Sequence, residues 1–164
     1  MIESDNTINI LLIEDDPADA QLVREILNRT AESFEVTHVT RLETGLEQLS
    51  EGKVHPFDVV LLDLSLPGSF GLETFARMNT EVPHIPIVIL SGSGNEGLAV
   101  KLVQEGAQDY LIKGHVDGAM LIRAIRYAIK RKQIDRALRD SEGALKEYKA
   151  RIESIMRLGN IAWW

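Results

Sequence analysis

Short aliphatic runs alternate along this chain with longer stretches in which apolar residues recur every three or four positions. Ile8-Asn9-Ile10-Leu11-Leu12-Ile13 is stopped by Glu14-Asp15-Asp16-Pro17, and Phe57-Asp58-Val59-Val60-Leu61-Leu62 by Asp63. Ile85-Pro86-Ile87-Val88-Ile89-Leu90 is stopped by Ser91-Gly92-Ser93-Gly94, and Tyr110-Leu111-Ile112 by Lys113-Gly114. Continuous aliphatic runs of this length suit strands covered on both faces, which predicts a parallel sheet. Residues 34–40 form a weaker, more polar run, as an edge strand would. Asp16 is placed to cap the first helix, with Pro17 at its first position and Asp19 in its first turn. Leu22, Val23, Ile26 and Leu27 then share one face. Residues 42–49, 71–78 and 97–104 predict three more helices, the last ended by Gly106, and a fifth begins near Asp117. Five βα units joined by right-handed crossovers build a doubly wound α/β fold, a five-stranded parallel sheet with helices on both faces. Strand order 2-1-3-4-5 puts the topological switch between the first and third strands.

Ligands of such sheets bind beyond the carboxyl ends of the strands, at the switch. Glu14 and Asp15 end the first strand and Asp63 the third, so this order brings three carboxylates together. Two like charges ~4 Å apart repel by about 4 kcal/mol at an effective dielectric of 20. Such a cluster persists when a hard cation joins it or a pKa rises. Oxygen ligands without nearby His or Cys favour Mg²⁺, which keeps waters and completes its shell with phosphate. Ser91 after the fourth strand and Lys113 after the fifth supply a hydroxyl and an ammonium, the remaining groups a phosphoryl needs. Asp16 is read as a helix cap only.

Four blocks carry a family resemblance: Ile10-Leu11-Leu12-Ile13-Glu14-Asp15-Asp16, Asp58-Val59-Val60-Leu61-Leu62-Asp63-Leu64-Ser65-Leu66-Pro67-Gly68, Pro86-Ile87-Val88-Ile89-Leu90-Ser91-Gly92 and Gly106-Ala107-Gln108-Asp109-Tyr110-Leu111-Ile112-Lys113. In this order and spacing, over about residues 8–130, they resemble response-regulator receiver domains, whose sheet is flavodoxin-like. The resemblance implies that Asp63 is the phosphoacceptor, taking a phosphoryl group from a histidine kinase or a histidine phosphotransfer protein. It implies that Asp15, Asp63 and the backbone carbonyl of Ser65 ligate Mg²⁺, with Glu14 acting through water. Ser91 and Lys113 would hold the phosphoryl oxygens, and Tyr110 would be the aromatic whose rotamer reports the state. Such a domain is a phosphoacceptor rather than a turnover enzyme. In one departure, Gly114 stands where the family usually has Pro, often after a cis bond. A cis Lys113–Gly114 bond would cost ~3 kcal/mol more than trans, which predicts trans or an altered loop. The Lys-Gly form resembles receivers that feed sensory or cyclase domains.

Composition narrows the rest. With no cysteine in 164 residues, disulfide frameworks, thiolate zinc sites and cysteine nucleophiles are excluded, which fits a reducing cytoplasm. No apolar run reaches the ~20 residues of a membrane span. The net charge of −7 argues against coating nucleic acid. Residues 1–116 hold 7 Lys/Arg and 19 Asp/Glu, whereas residues 117–164 hold 11 and 6, so an acidic body carries a basic extension. That extension reads as a solvated helix surface.

Other motifs fall away. Gly92-Ser93-Gly94-Asn95-Glu96-Gly97 matches G-x-G-x-x-G, but a dinucleotide site wants it after the first strand, with an acid ending the next. A phosphatase forming an aspartyl-phosphate would need a second Asp two residues after Asp63, where Ser65 stands. His38, His55, His84 and His115 have no metal-ligand spacing and read as surface histidines. A non-phosphorylated pseudo-receiver that only docks partners stays as an alternative, although its usual marker, loss of Asp63 or Lys113, is absent.

From Asp117 to Arg157 there is no proline. With Ala124, Arg131, Leu138, Leu145 and Ile152 at a, positions d are Tyr127, Ile134, Ser141, Tyr148 and Ile155. That pattern predicts a coiled-coil linker over residues 131–157, following a receiver over 1–130, and a homodimer through it. About 40 helical residues at 1.5 Å rise make a rod near 60 Å long. Residues 158–164 end in Trp163-Trp164 and resemble the opening of a PAS sensory domain, as if cut from a longer chain. A hybrid histidine kinase or cyclase is the alternative setting for the receiver.

Overall fold

The computed structural model describes residues 7–50 and 57–161. Its main sheet holds β1 (Ile8–Ile13), β2 (Phe34–Val39), β3 (Val59–Asp63), β6 (Ile87–Ser91) and β7 (Asp109–Ile112). These lie in the order β2-β1-β3-β6-β7, all parallel, which is the expected 2-1-3-4-5. The helices are α1 (Pro17–Asn28), α2 (Leu42–Leu49), α3 (Gly71–Glu81), α4 (Glu96–Gln104) and α5 (Gly118–Ile161).

The aliphatic runs are buried on both faces because successive side chains point oppositely. Leu11, Ile13, Val60, Leu62, Ile87 and Ile89 pack with α2, α3 and α4 through Leu42, Leu46, Phe75, Met78 and Leu102. Ile10, Leu12, Val59, Leu61, Val88, Leu90 and Leu111 pack with α1 and α5 through Ala20, Val23, Leu27, Leu121 and Ile125. β2 is the edge strand, and none of its residues is fully buried. Asp16 caps α1 as read: its Oδ1 accepts from Ala18 N at 2.8 Å and Asp19 N at 3.2 Å, and Pro17 occupies the first position. Asn95 caps α4, accepting from Leu98 N at 3.0 Å.

Two local features depart from the sequence reading. A small antiparallel hairpin, β4 (Ser65–Leu66) and β5 (Ser69–Phe70), follows Asp63. Its turn is Pro67-Gly68, with Gly68 at φ 79°, the left-handed position after proline that a type II turn assigns to glycine. Arms of two residues carry no period, so no strand was expected there. The second concerns the heptad register. Ala124, its first a position, is buried beneath the sheet with Leu121, Ile125 and Ala128, so the start of α5 is receiver core rather than coiled-coil seam.

The chain divides into two units, Met1–Lys130 and Arg131–Trp164. In the second, Ile134, Leu138, Leu145, Tyr148, Ile152 and Ile155 are all exposed. α5 continues as helix through Gly159, where the sequence suggested a new domain opening; the tryptophans of that segment, and His55, lie outside the described residues. No described helix is long and apolar enough to cross a membrane.

Candidate functional site

Strand alternation aims the site. Glu14 follows Ile13 just beyond the end of β1, Asp63 is the last residue of β3, and Lys113 follows β7. Each stands an even number of residues from a side chain in the α1/α5 layer (Leu12, Leu61 and Leu111), so the pleat turns all three toward that face. Register makes them neighbours: Ile13 pairs with Leu62, so Glu14 comes beside Asp63, and Ser91 pairs with Ile112, one residue short of Lys113.

Oxygens of Glu14, Asp15 and Asp63 come within 4.8 Å of one another. Glu14 and Asp63 are buried, 1% and 3% exposed, while Asp15 faces solvent. Two buried acids at this separation need a counter-charge. Lys113 provides one: its Nζ lies 2.6 Å from Glu14 Oε2, 3.0 Å from Asp19 Oδ2 and 3.3 Å from Asp63 Oδ1. Burial pushes the Glu14 carboxyl up to about 7; the Asp63 charge adds to the rise, while the hydrogen bonds from Lys113 and from Asp16 N–H oppose it. Burial disfavours the charged form of Lys113 too, but the hydrogen bonds to Glu14 and Asp19 and the charge of Asp63 outweigh it, and the ammonium is held above its ordinary range.

This donor set fits a hard divalent ion. Three carboxylates gather without cysteine or histidine side chains, two of them buried and one at the mouth. Ser65 is exposed two residues beyond Asp63, at the start of the hairpin. Ser91 is buried at the end of β6, and its Oγ accepts from Ser93 N at 3.2 Å. Tyr110 reaches from β7 to the same loop, its hydroxyl donating to Ser93 O at 2.6 Å. Glu14, Asp15, Asp63, Ser65, Ser91 and Lys113 thus lie at the carboxyl edge of the sheet, while Tyr110 stands within β7 and reaches that edge through its side chain.

Two relationships escaped the sequence reading. Asp19, taken only as a first-turn acid, is an ion-pair partner of Lys113. The usable signal was that the strand ends bearing Glu14 and Lys113 share a face with α1. His38, expected at the surface, is half-buried, and its Nε2 lies 2.7 Å from the carbonyl oxygen of Glu14. At the fifth loop the Lys113–Gly114 bond is trans, as expected, and Gly114 takes φ 85°, which proline's ring forbids.

Residues 10–126 match the family model described as the response regulator receiver domain. Among curated proteins, the cell cycle transcriptional regulator CtrA of Caulobacter vibrioides is 36% identical over 116 residues, covering 71% of this chain and 48% of CtrA. The chain therefore spans about half the length of that relative. Among solved structures, a response regulator receiver domain protein from Clostridium thermocellum aligns with TM-score 0.66 and 30% identity, covering 77% of this chain and 98% of that one. The receiver domain of the sensor histidine kinase PA1611 from Pseudomonas aeruginosa, which holds a magnesium ion in its active-site cleft, aligns with TM-score 0.62 and 24% identity, covering 76% of this chain and 98% of that one.

Proposed function

Because the chain belongs to the response regulator receiver domain family, we propose that it accepts a phosphoryl group on Asp63 from the phosphohistidine of a histidine kinase or histidine phosphotransfer protein. The observation that carries this reading is the buried Asp63 carboxylate, 3.3 Å from Lys113 Nζ and clustered with Glu14 and Asp15. An Asp63 oxygen forms the new bond to phosphorus while the bond from phosphorus to the donor nitrogen breaks. The imidazole leaves with the electron pair and takes its proton from solvent. Lys113 donates to one phosphoryl oxygen and the Ser91 hydroxyl to another, neutralising charge that builds as the group transfers. Asp15, Asp63 and the Ser65 carbonyl would hold Mg²⁺, with Glu14 reaching it through water; bound there, the ion neutralises charge on the incoming phosphoryl group.

Phosphorylation exchanges the single charge of the Asp63 carboxylate for the nearly two negative charges of an acyl phosphate. Drawing Ser91 toward them pulls on the loop to which Tyr110 is tied through Ser93, and so on α4, β7 and α5. A response of this kind requires two packings within a few kcal/mol of each other. α5 is one continuous helix from Gly118 to Ile161, so a change at its first turns passes into the exposed segment beyond residue 130. The apolar positions from Ile134 to Ile155 would pair with those of a second copy, with Lys130 facing Asp135 of the partner in a parallel dimer. The receiver itself turns over no substrate and contacts neither nucleic acid nor membrane.

Incubation with Mg²⁺ and acetyl phosphate tests the reading. The chain should gain the mass of one phosphoryl group, and Asp63→Asn should abolish the gain. No gain in the unaltered chain, or a gain that survives the substitution, would defeat it.

A further inference from the structure

A lysine ammonium has three donors, and here three carboxylates from three different elements surround it. Glu14 and Asp63 both belong to the acidic cluster, so a cation in that cluster draws their oxygens away from Lys113. Asp19 does not belong to it. It stands in the first turn of α1, is 39% exposed, and hydrogen-bonds Lys113 Nζ at 3.0 Å, closer than Asp63 at 3.3 Å. A cleft of about 30 Å³, lined by Glu14, Asp19, Val23, Lys113 and Gly114 among others, adjoins this contact.

We propose that Asp19 is a positioning residue for Lys113: from α1 it shares the ammonium with Asp63, so a phosphoryl group on Asp63 must compete with Asp19 for it. The inference rests on the phosphoacceptor reading. Its physical consequence has opposite signs for the two ligands of the site. With Asp19 neutral, the whole ammonium charge falls on Glu14 and Asp63, where it opposes a divalent cation. An anionic phosphoryl group in the same pocket instead gains the full ammonium. A merely structural loss would weaken both.

The test uses the full chain and Asp19→Asn, measuring Mg²⁺ affinity alone and then the affinity for beryllofluoride, an anionic phosphoryl mimic, in saturating Mg²⁺. Asp19→Asn should bind Mg²⁺ about two- to fivefold more weakly and beryllofluoride about two- to fivefold more tightly, the range of a half-exposed ion pair. Both differences should shrink in 0.5 M salt, and Asp19→Glu should behave as the unaltered chain does. In a Lys113→Met background, Asp19→Asn should leave Mg²⁺ affinity unmoved. Equal affinities in the two chains, both affinities weakened together, or a Mg²⁺ shift that persists without Lys113 would each overturn the role of Asp19. Failure of the unaltered chain to bind beryllofluoride at all would instead overturn the phosphoacceptor reading, and this inference with it.

Discussion

Lys113 Nζ is 2.6 Å from Glu14 Oε2 but 3.3 Å from Asp63 Oδ1, so the ammonium sits nearer the acid that is not the proposed acceptor. Glu14 therefore balances two opposed influences, burial that favours its proton and a cation that favours its charge.

The raised Glu14 carboxyl gives metal-free stability a pH dependence of defined sign. A carboxyl near 4.5 when unfolded and about 7 when folded holds more protons in the native state between those values. The stabilisation is present in full below about 4.5 and is lost as pH rises through about 7. Urea unfolding in chelator at pH 5 and pH 8 should differ by on the order of 1–3 kcal/mol from this group, being larger at pH 5. Glu14→Gln should remove that difference, and saturating Mg²⁺ should flatten it by holding the carboxylate ionised.

Lys113→Ala leaves Glu14 and Asp63 facing each other without a cation. Metal-free stability at pH 7.5 should fall by roughly 1–3 kcal/mol, part of which returns at pH 5.5 as Glu14 takes up a proton. Mg²⁺ should bind more tightly, because a competing cation has gone, while phosphoryl gain from acetyl phosphate should drop at least tenfold. Calorimetric Mg²⁺ titration and mass spectrometry separate the two.

Asp15 is exposed, so its repulsion with the buried pair is screened by water. Asp15→Asn should raise metal-free stability by only about 0.5–1 kcal/mol, yet weaken Mg²⁺ binding clearly. A chain made less stable in chelator by this change would contradict the clustering of the three acids.

The exposed apolar positions of α5 make an assembly prediction. Leu138→Glu with Leu145→Glu places charge on the seam of any paired helix, and sedimentation should show the dimer converted to monomer with the receiver's thermal transition unchanged. An unaltered chain that sediments as a monomer at micromolar concentration would remove the coiled coil from the reading.

Sheet order and the positions of Glu14, Asp63, Ser91 and Lys113 were legible because fully buried strands leave unbroken aliphatic runs, and the polar residues that stop them mark one edge. The hairpin after Asp63 was not, since Ser65-Leu66 and Ser69-Phe70 are too short to show alternation. Asp19 was not, because its partner lies 94 residues away in sequence and a first-turn acid already has a sufficient local explanation in the helix dipole. The heptad pattern was legible, but its first a position, Ala124, belongs to the receiver core: sequence periodicity does not distinguish a helix packed on a sheet from one packed on another helix.

The alternation that splits β1 and β3 between two hydrophobic layers also fixes where their terminal acids point. A single-residue insertion within Ile10–Ile13 or Val59–Leu62 would swing Glu14 or Asp63 under α2–α4 and bring an aliphatic side chain to the mouth. Packing and chemistry in these strands thus share one phase, so a change of length that preserves both must fall in the loops that join them.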